Sequence, residues 1–258
     1  MIRTLGATTI QRLVAHGRWG IFMLQVVLGS LKLPFKFRAC LQEIRAIGAD
    51  SLSIIIFTAL FTGMVLGLQG YTTLKQFGAD SALGLGVTIT LFSELGPVLS
   101  ALLLTGRAGS SMCAQIGVMR ISEQIDALDT MGIDPFHYII SPKLVASLIS
   151  FPILTFLFSI VGIFGSYIAG VMILGVNSGE YYAGAVRALQ NDTIIPMCLV
   201  KSMVFGFLMI MICTHKGYMV YTQKSKGAVG VSKATTDAVV FTSVNVLLWD
   251  YLLTSVLI

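Results

Sequence analysis

The sequence predicts an all-α polytopic membrane protein, with an N-terminal interfacial elbow helix, five transmembrane helices, and a short cytoplasmic helix between spans two and three. Three observations predict it. First, 55% of the 258 residues are hydrophobic and only 11% are charged, where soluble domains carry roughly a quarter charged residues; the mean hydropathy is +0.87. Second, uncharged runs long enough for a hydrocarbon core of ~30 Å recur along the chain. Third, the basic residues are segregated between those runs. One domain, 1–258, is expected, with 1–47 as elbow helix and linker and 48–258 as the five-span bundle.

Residues 1–18 carry Arg3, Arg12 and Arg18 but no early apolar core, so a cleaved signal peptide is not expected. The uncharged stretch from Trp19 to Leu31 is bounded by Arg18 and Lys32. It is shorter than the roughly 20 residues a span needs, so residues 5–32 are read as a helix lying on the membrane surface. A short tilted first span is the alternative. Around Pro34, Lys32, Lys36 and Arg38 break the helix and add positive charge.

Residues 51–74 carry no charge and form the first span, with Gly63 and Gly67 spaced for close helix approach. The second span, 81–106, is interrupted by Glu94 and should kink near Gly96-Pro97, because Pro97 cannot donate to the preceding turn. Residues 144–179 are uncharged throughout and exceed the membrane thickness, so the third span tilts or projects. Gly162, Ser166 and Gly170 repeat every fourth residue on it, a packing stripe. Residues 180–189 read as an outer amphipathic helix, 194–214 as the fourth span and 238–258 as the fifth.

Orientation follows from Lys and Arg placement. With the N-terminus inside, only Lys75 and Arg187 of the 17 basic residues fall outside, and Lys201 falls within a span. The C-terminus is then outside. The net charge of +5 is explained by this asymmetry and not by nucleic-acid binding. Cys40, Cys113, Cys198 and Cys213 show neither metal spacing nor a paired pattern and are read as small apolar residues. No catalytic arrangement and no metal site are expected. No glycine-rich loop ends in Gly-Lys-Ser or Gly-Lys-Thr, so ATP and Mg would be bound by another polypeptide.

Three groups of residues carry candidate function. Glu94, Lys201 and Asp250 each interrupt an apolar span, which is costly in lipid and directs such groups to a protein interior or a wet cavity. Lys201 neutralising Asp250 or Glu94 is the structural alternative. Leu66, Gly70, Thr73 and Phe77 share a face of the first span beside Leu74. That face suits acyl chains, although such stripes usually pack helices. The third group lies between spans two and three. Ser122 is a suitable N-cap, Glu123 and Asp126 follow in the first turn, and Ile121, Ile125 and Leu128 recur at helical spacing. Gly132 and Pro135 supply the stop. The result is a short acidic helix outside the membrane, either a plain connector or a docking point.

Glu123-Gln124-Ile125-Asp126-Ala127-Leu128 followed by Met131-Gly132-Ile133-Asp134-Pro135 resembles the signature of the MlaE/YrbE permease family, as do Glu94-Leu95-Gly96-Pro97 and Gly106-Arg107-Ala108-Gly109. The resemblance runs from about Gly48 to the C-terminus. It implies the membrane subunit of an ABC-type phospholipid transporter in a bacterial inner membrane, serving outer-membrane lipid asymmetry. The implied partners are a second copy of the chain, a cytoplasmic ATPase dimer, a periplasmic MCE-domain protein and a STAS-type accessory protein. It also implies that Ser122, Glu123, Gln124, Asp126, Leu128, Asp129, Met131, Gly132, Asp134 and Pro135 form the coupling helix. Glu94, with Leu95 beside it, would stand at a lipid cavity with Leu66, Gly70, Thr73, Leu74 and Phe77. The rival reading is an ion-coupled secondary transporter or channel using Glu94, Lys201 and Asp250, although no inverted repeat is visible.

Overall fold

A computed structural model describes residues 17–30, 37–222 and 227–257. The expected break around Pro34, and the parts of the elbow helix before residue 17 and after residue 30, lie outside the described residues. Nine helices are named here: α1 (17–30), α2 (Phe37–Ile47), α3 (Leu52–Lys75), α4 (Asp80–Ile121), α5 (Gln124–Thr130), α6 (Phe136–Ile173), α7 (Ser178–Leu189), α8 (Ile194–Tyr218) and α9 (Gly227–Leu257). No strand occurs among the described residues. Among the described residues, five helical segments are long and apolar enough to cross a membrane: α2 with α3, then α4, α6, α8 and α9.

Small residues set the closest packing. A Cβ on Gly63 would stand 1.9 Å from the Gly162 carbonyl oxygen, and one on Gly165 would stand 2.2 Å from that of Leu60. Gly67 faces Ser166 in the same way. Helices α3 and α6 therefore touch backbone to backbone, with Gly63 and Gly67 on one side and Gly162 and Ser166 on the other, while Gly170 of the same stripe meets Leu83 of α4 instead. Cys40, Cys113, Cys198 and Cys213 are buried thiols.

The third span ends at Ile173, short of the uncharged run to 179. Four helices run further than the apolar runs suggested, α8 among them, which continues past Thr214 to Tyr218. Helix α4 continues past Gly106 to Ile121, α6 begins at Phe136 and includes Lys143, and α9 begins at Gly227. Hydropathy reports where lipid ends, whereas a helix continues wherever its backbone bonds continue. At 1.5 Å per residue the 42 residues of α4 span about 63 Å, twice a ~30 Å core.

Pro97 is absorbed without ending α4. The turn at Leu91–Leu95 widens by one residue, as helices do when a backbone bond cannot form. Ser159 Oγ donates to the Leu91 carbonyl at 3.2 Å. A second wide turn covers Thr105–Gly109.

Helix α1 docks onto the bundle through one face. Phe22 and Val26 are buried. The Phe22 ring lies 5.5 Å from Phe136, 5.1 Å from His215 and 5.8 Å from Tyr218. Ile21, Leu24 and Leu28 remain exposed on the other side. At the opposite end of the bundle, α7 starts at Asn177, whose side chain accepts from the Gly179 and Glu180 amides at 2.8 and 3.3 Å. Tyr181 donates to the Ile163 carbonyl at 2.9 Å. Burial pushes its phenol up, which keeps it a donor.

Candidate functional site

The three charges that interrupt the spans meet at one point. Lys201 of α8 is fully buried. Its Nζ lies 2.6 Å from Glu94 Oε2 on α4 and 2.8 Å from Asp250 Oδ1 on α9. It also donates to Thr254 Oγ1 at 2.6 Å and to the Ser93 carbonyl at 2.8 Å. That carbonyl is the one Pro97, four residues on, cannot bond, so the ammonium satisfies an acceptor that the proline orphans. The sequence left Lys201 to pair with either acid, and the structure places it between both. Thr254, which carries no charge and so gave no hydropathy signal, also hydrogen-bonds Glu94 Oε1 at 3.1 Å. Glu94 is 35% exposed and Asp250 18%. The cluster thus ties three spans together while presenting one carboxylate at its edge.

A separate groove of about 300 Å³ lies between α3 and α4. Leu66, Gly70, Thr73 and Leu74 form one wall, and Leu83, Gly86, Val87 and Thr90 the other, with Gln69 at its margin. Gly70 leaves the space beside Leu83: a Cβ there would stand 2.8 Å from Leu83 Cδ1. Phe77 is 78% exposed and lies outside this lining, as do Glu94 and Leu95, about one turn beyond Thr90 on α4. The α4 wall was missed in the sequence, although Leu83, Val87 and Thr90 recur at helical spacing. Its volume and apolar lining suit a slender hydrocarbon chain.

Helix α5 is the third feature. Ser122 is not its N-cap. Because α4 runs to Ile121, Ser122 belongs to the last turn of α4, and its hydroxyl donates back to the Val118 carbonyl at 2.8 Å. The chain then reverses through Glu123, which caps α5 with a left-handed φ of 58° and no side-chain bond. The Ala127 amide bonds the Glu123 carbonyl at 2.9 Å. Gly132, with φ of 74°, ends the unit, and Asp134 Oδ1 accepts from the Phe136 amide at 3.0 Å to start α6. Pro135 is buried at that junction.

Two contacts hold α5 to the spans. Ile125 is buried, and Asp126 forms an ion pair with Arg120 at the end of α4. The Arg120 guanidinium lies 5.0 Å from the Tyr218 ring and 4.6 Å from the Tyr221 ring. Glu123, Gln124, Asp129 and Met131 point outward, with Met131 72% exposed, and Leu128 is half-buried. The arrangement is a small acidic surface clamped to α4 and α8.

Comparison with known proteins places the chain among membrane permeases. The chain is 38% identical to a "Probable ABC transporter permease protein" of Rickettsia bellii, over 97% of this chain and 95% of that one. It is 36% identical to the "Intermembrane phospholipid transport system permease protein MlaE" of Haemophilus influenzae, over 99% of this chain and 97% of that protein. It is 34% identical to "Protein TRIGALACTOSYLDIACYLGLYCEROL 1, chloroplastic" of Arabidopsis thaliana, over 90% of this chain and 65% of that one. The family model described as Permease MlaE matches residues 40–256, so this multi-pass membrane protein belongs to the MlaE permease family.

Proposed function

We propose that the chain is the membrane subunit of an ATP-driven ABC transporter that moves phospholipid between the inner and outer membranes of a bacterium and so maintains outer-membrane lipid asymmetry. The observation that carries this reading is the clamped acidic helix α5. A helix of 7 residues with a buried Ile125 and an Asp126–Arg120 ion pair transmits force to α4 and α8, while Glu123, Asp129 and Met131 remain free to meet a partner. A cytoplasmic ATPase dimer, holding ATP and Mg, docks there. Two copies of the permease form a homodimer, and the groove lined by Leu66, Gly70, Thr73 and Leu74 receives an acyl chain. Glu94 stands at the cavity's edge. An MCE-domain protein engages the periplasmic side and a STAS-type protein binds the ATPase. The chain sits in the inner membrane, N-terminus cytoplasmic and C-terminus periplasmic.

Asp129→Lys in the reconstituted complex tests this. The expected result is loss of lipid-coupled ATP hydrolysis with the permease still folded. Normal co-purification with the ATPase and normal transport would remove the docking assignment. The charge cluster favours a second reading, an ion-coupled carrier that needs no ATPase. Ion-driven lipid-independent flux through liposomes holding this chain alone would support it.

A further inference from the structure

A polar recess lies at the α5 end of the bundle, between α2 and α4 and away from the groove and the charge cluster. Its volume is about 240 Å³, and Glu43, Ala46, Asp50, Arg107, Ser111 and Gln115 line it. Arg107 Nη1 donates to the Ala46 carbonyl at 3.1 Å and to Ser51 Oγ at 2.8 Å, which fixes the guanidinium plane. Its Nη2 stands 3.7 Å from Asp50 Oδ2, beyond hydrogen-bond distance. Nη2 and Nε make no hydrogen bond among the described residues, and Nη2 has only the long Asp50 ion pair, which a shorter paired contact could replace. That edge is a fork that matches the paired oxygens of a phosphate.

The facing wall is acidic and also incompletely used. Buried Lys143 donates to Glu43 Oε1 at 2.5 Å and to Gln115 Oε1 at 2.9 Å. With that oxygen committed, the Gln115 amide nitrogen points elsewhere as a donor. Lys143 balances Glu43, and Arg107 balances Asp50, so the recess is neutral overall yet carries both signs. A ligand with both signs fits it better than a simple anion, which Asp50 would repel.

Depth and surroundings identify the source of such a ligand. The 24 residues of α3 span about 36 Å against a ~30 Å hydrocarbon core. Asp50, two residues before α3, and Arg107 beside it therefore stand at headgroup level. From Asp50, an exposed apolar stripe runs along α3 at intervals of three and four residues: Ile54, Phe57, Phe61, Val65 and Leu68. We propose that the recess binds the phosphate and ammonium of a phosphoethanolamine lipid standing in the leaflet at the α5 end, with its chains along that stripe. The recess is smaller than the roughly 300–1,000 Å³ of pockets that enclose whole small molecules, as suits a headgroup whose tails stay in the bilayer.

Headgroup binding at this recess needs only a chain standing in a membrane, so binding and not transport is measured. The chain in nanodiscs is exposed to phosphatidylethanolamine carrying a diazirine on the proximal acyl chain, and labelled peptides are mapped. Labelling of α2 and the first half of α3 is expected. It should fall about tenfold in Arg107→Gln, the loss of a paired charged contact. Arg107→Gln also removes two structural bonds, so Ser111→Trp, which fills the recess from an exposed position, is the second variant and should reduce labelling as much with the chain still folded by circular dichroism. Equal labelling by the phosphatidylglycerol counterpart would overturn the two-sign assignment. Saturable binding of soluble glycerophosphoethanolamine with no labelling by the lipid probe would overturn the lipid source. Unchanged labelling in both variants, or a cysteine crosslink between two copies through position 57 in place of lipid labelling, would overturn the site.

Discussion

Removing the ammonium of Lys201 should be far costlier than removing any one of its bonds. Lys201→Met deletes hydrogen bonds to Ser93, Glu94 and Thr254, which at about 0.6 kcal/mol for an average intramembrane bond come to about 2 kcal/mol. It also leaves Glu94 and Asp250 facing each other without a cation. Breaking a buried pair by removing one partner costs about 3–5 kcal/mol. Because Glu94 is 35% and Asp250 18% exposed, water relieves part of this, and the lower end, about 3 kcal/mol, is expected. The triple change Glu94→Gln, Lys201→Met, Asp250→Asn removes every charge at once and should recover most of that loss, to within about 1 kcal/mol of the parent. The assay is reversible unfolding of the purified chain in mixed micelles, followed by circular dichroism. A Lys201→Met loss below about 1 kcal/mol, or a triple variant less stable than the single, would refute the reasoning.

Other outcomes follow from the geometry. Ser122→Ala should change stability by less than about 0.5 kcal/mol, because the hydroxyl bonds back into α4 and caps nothing. Gly132→Ala should cost about 1–2 kcal/mol, since its φ is 74°; thermal unfolding of the two variants makes the comparison. Gly63→Ala should abolish recovery of monodisperse protein, because the new carbon would stand 1.9 Å from the Gly162 carbonyl oxygen. Gly70→Leu should fill the groove beside Leu83 and lower lipid co-purification with the complex while leaving assembly intact, as measured by mass spectrometry of extracted lipid. Arg120→Leu should loosen α5 and lower lipid-coupled ATP hydrolysis, because it removes the Asp126 ion pair and the two aromatic contacts.

Much of this was legible in the sequence wherever the signal was local and chemical. A charge inside an apolar run stands out, so Glu94, Lys201 and Asp250 were identifiable one by one. Their meeting was not, because it depends on how α4, α8 and α9 pack, and Thr254 joined them without any hydropathy signal. One wall of the groove followed from the spacing of Leu66, Gly70 and Thr73. The other required knowing that the start of α4 lies against α3. Ser122 misled because capping rules assume that the preceding chain is not helical, and here α4 had not yet ended. Span ends were misjudged for a related reason: Arg107 and Lys143 interrupt hydropathy without interrupting backbone bonds.

Helix α4 carries one wall of the groove, Glu94, Arg107 and the arginine that grips α5. As a rod of about 63 Å it is also a lever, and a tilt of about 5° about its midpoint would swing each end by roughly 3 Å. Motion imposed at one tip would reach the other to the extent that the helix stays straight. The two widened turns, at Leu91–Leu95 and Thr105–Gly109, are where the rod can give. Their stiffness sets how much of the stroke survives the journey.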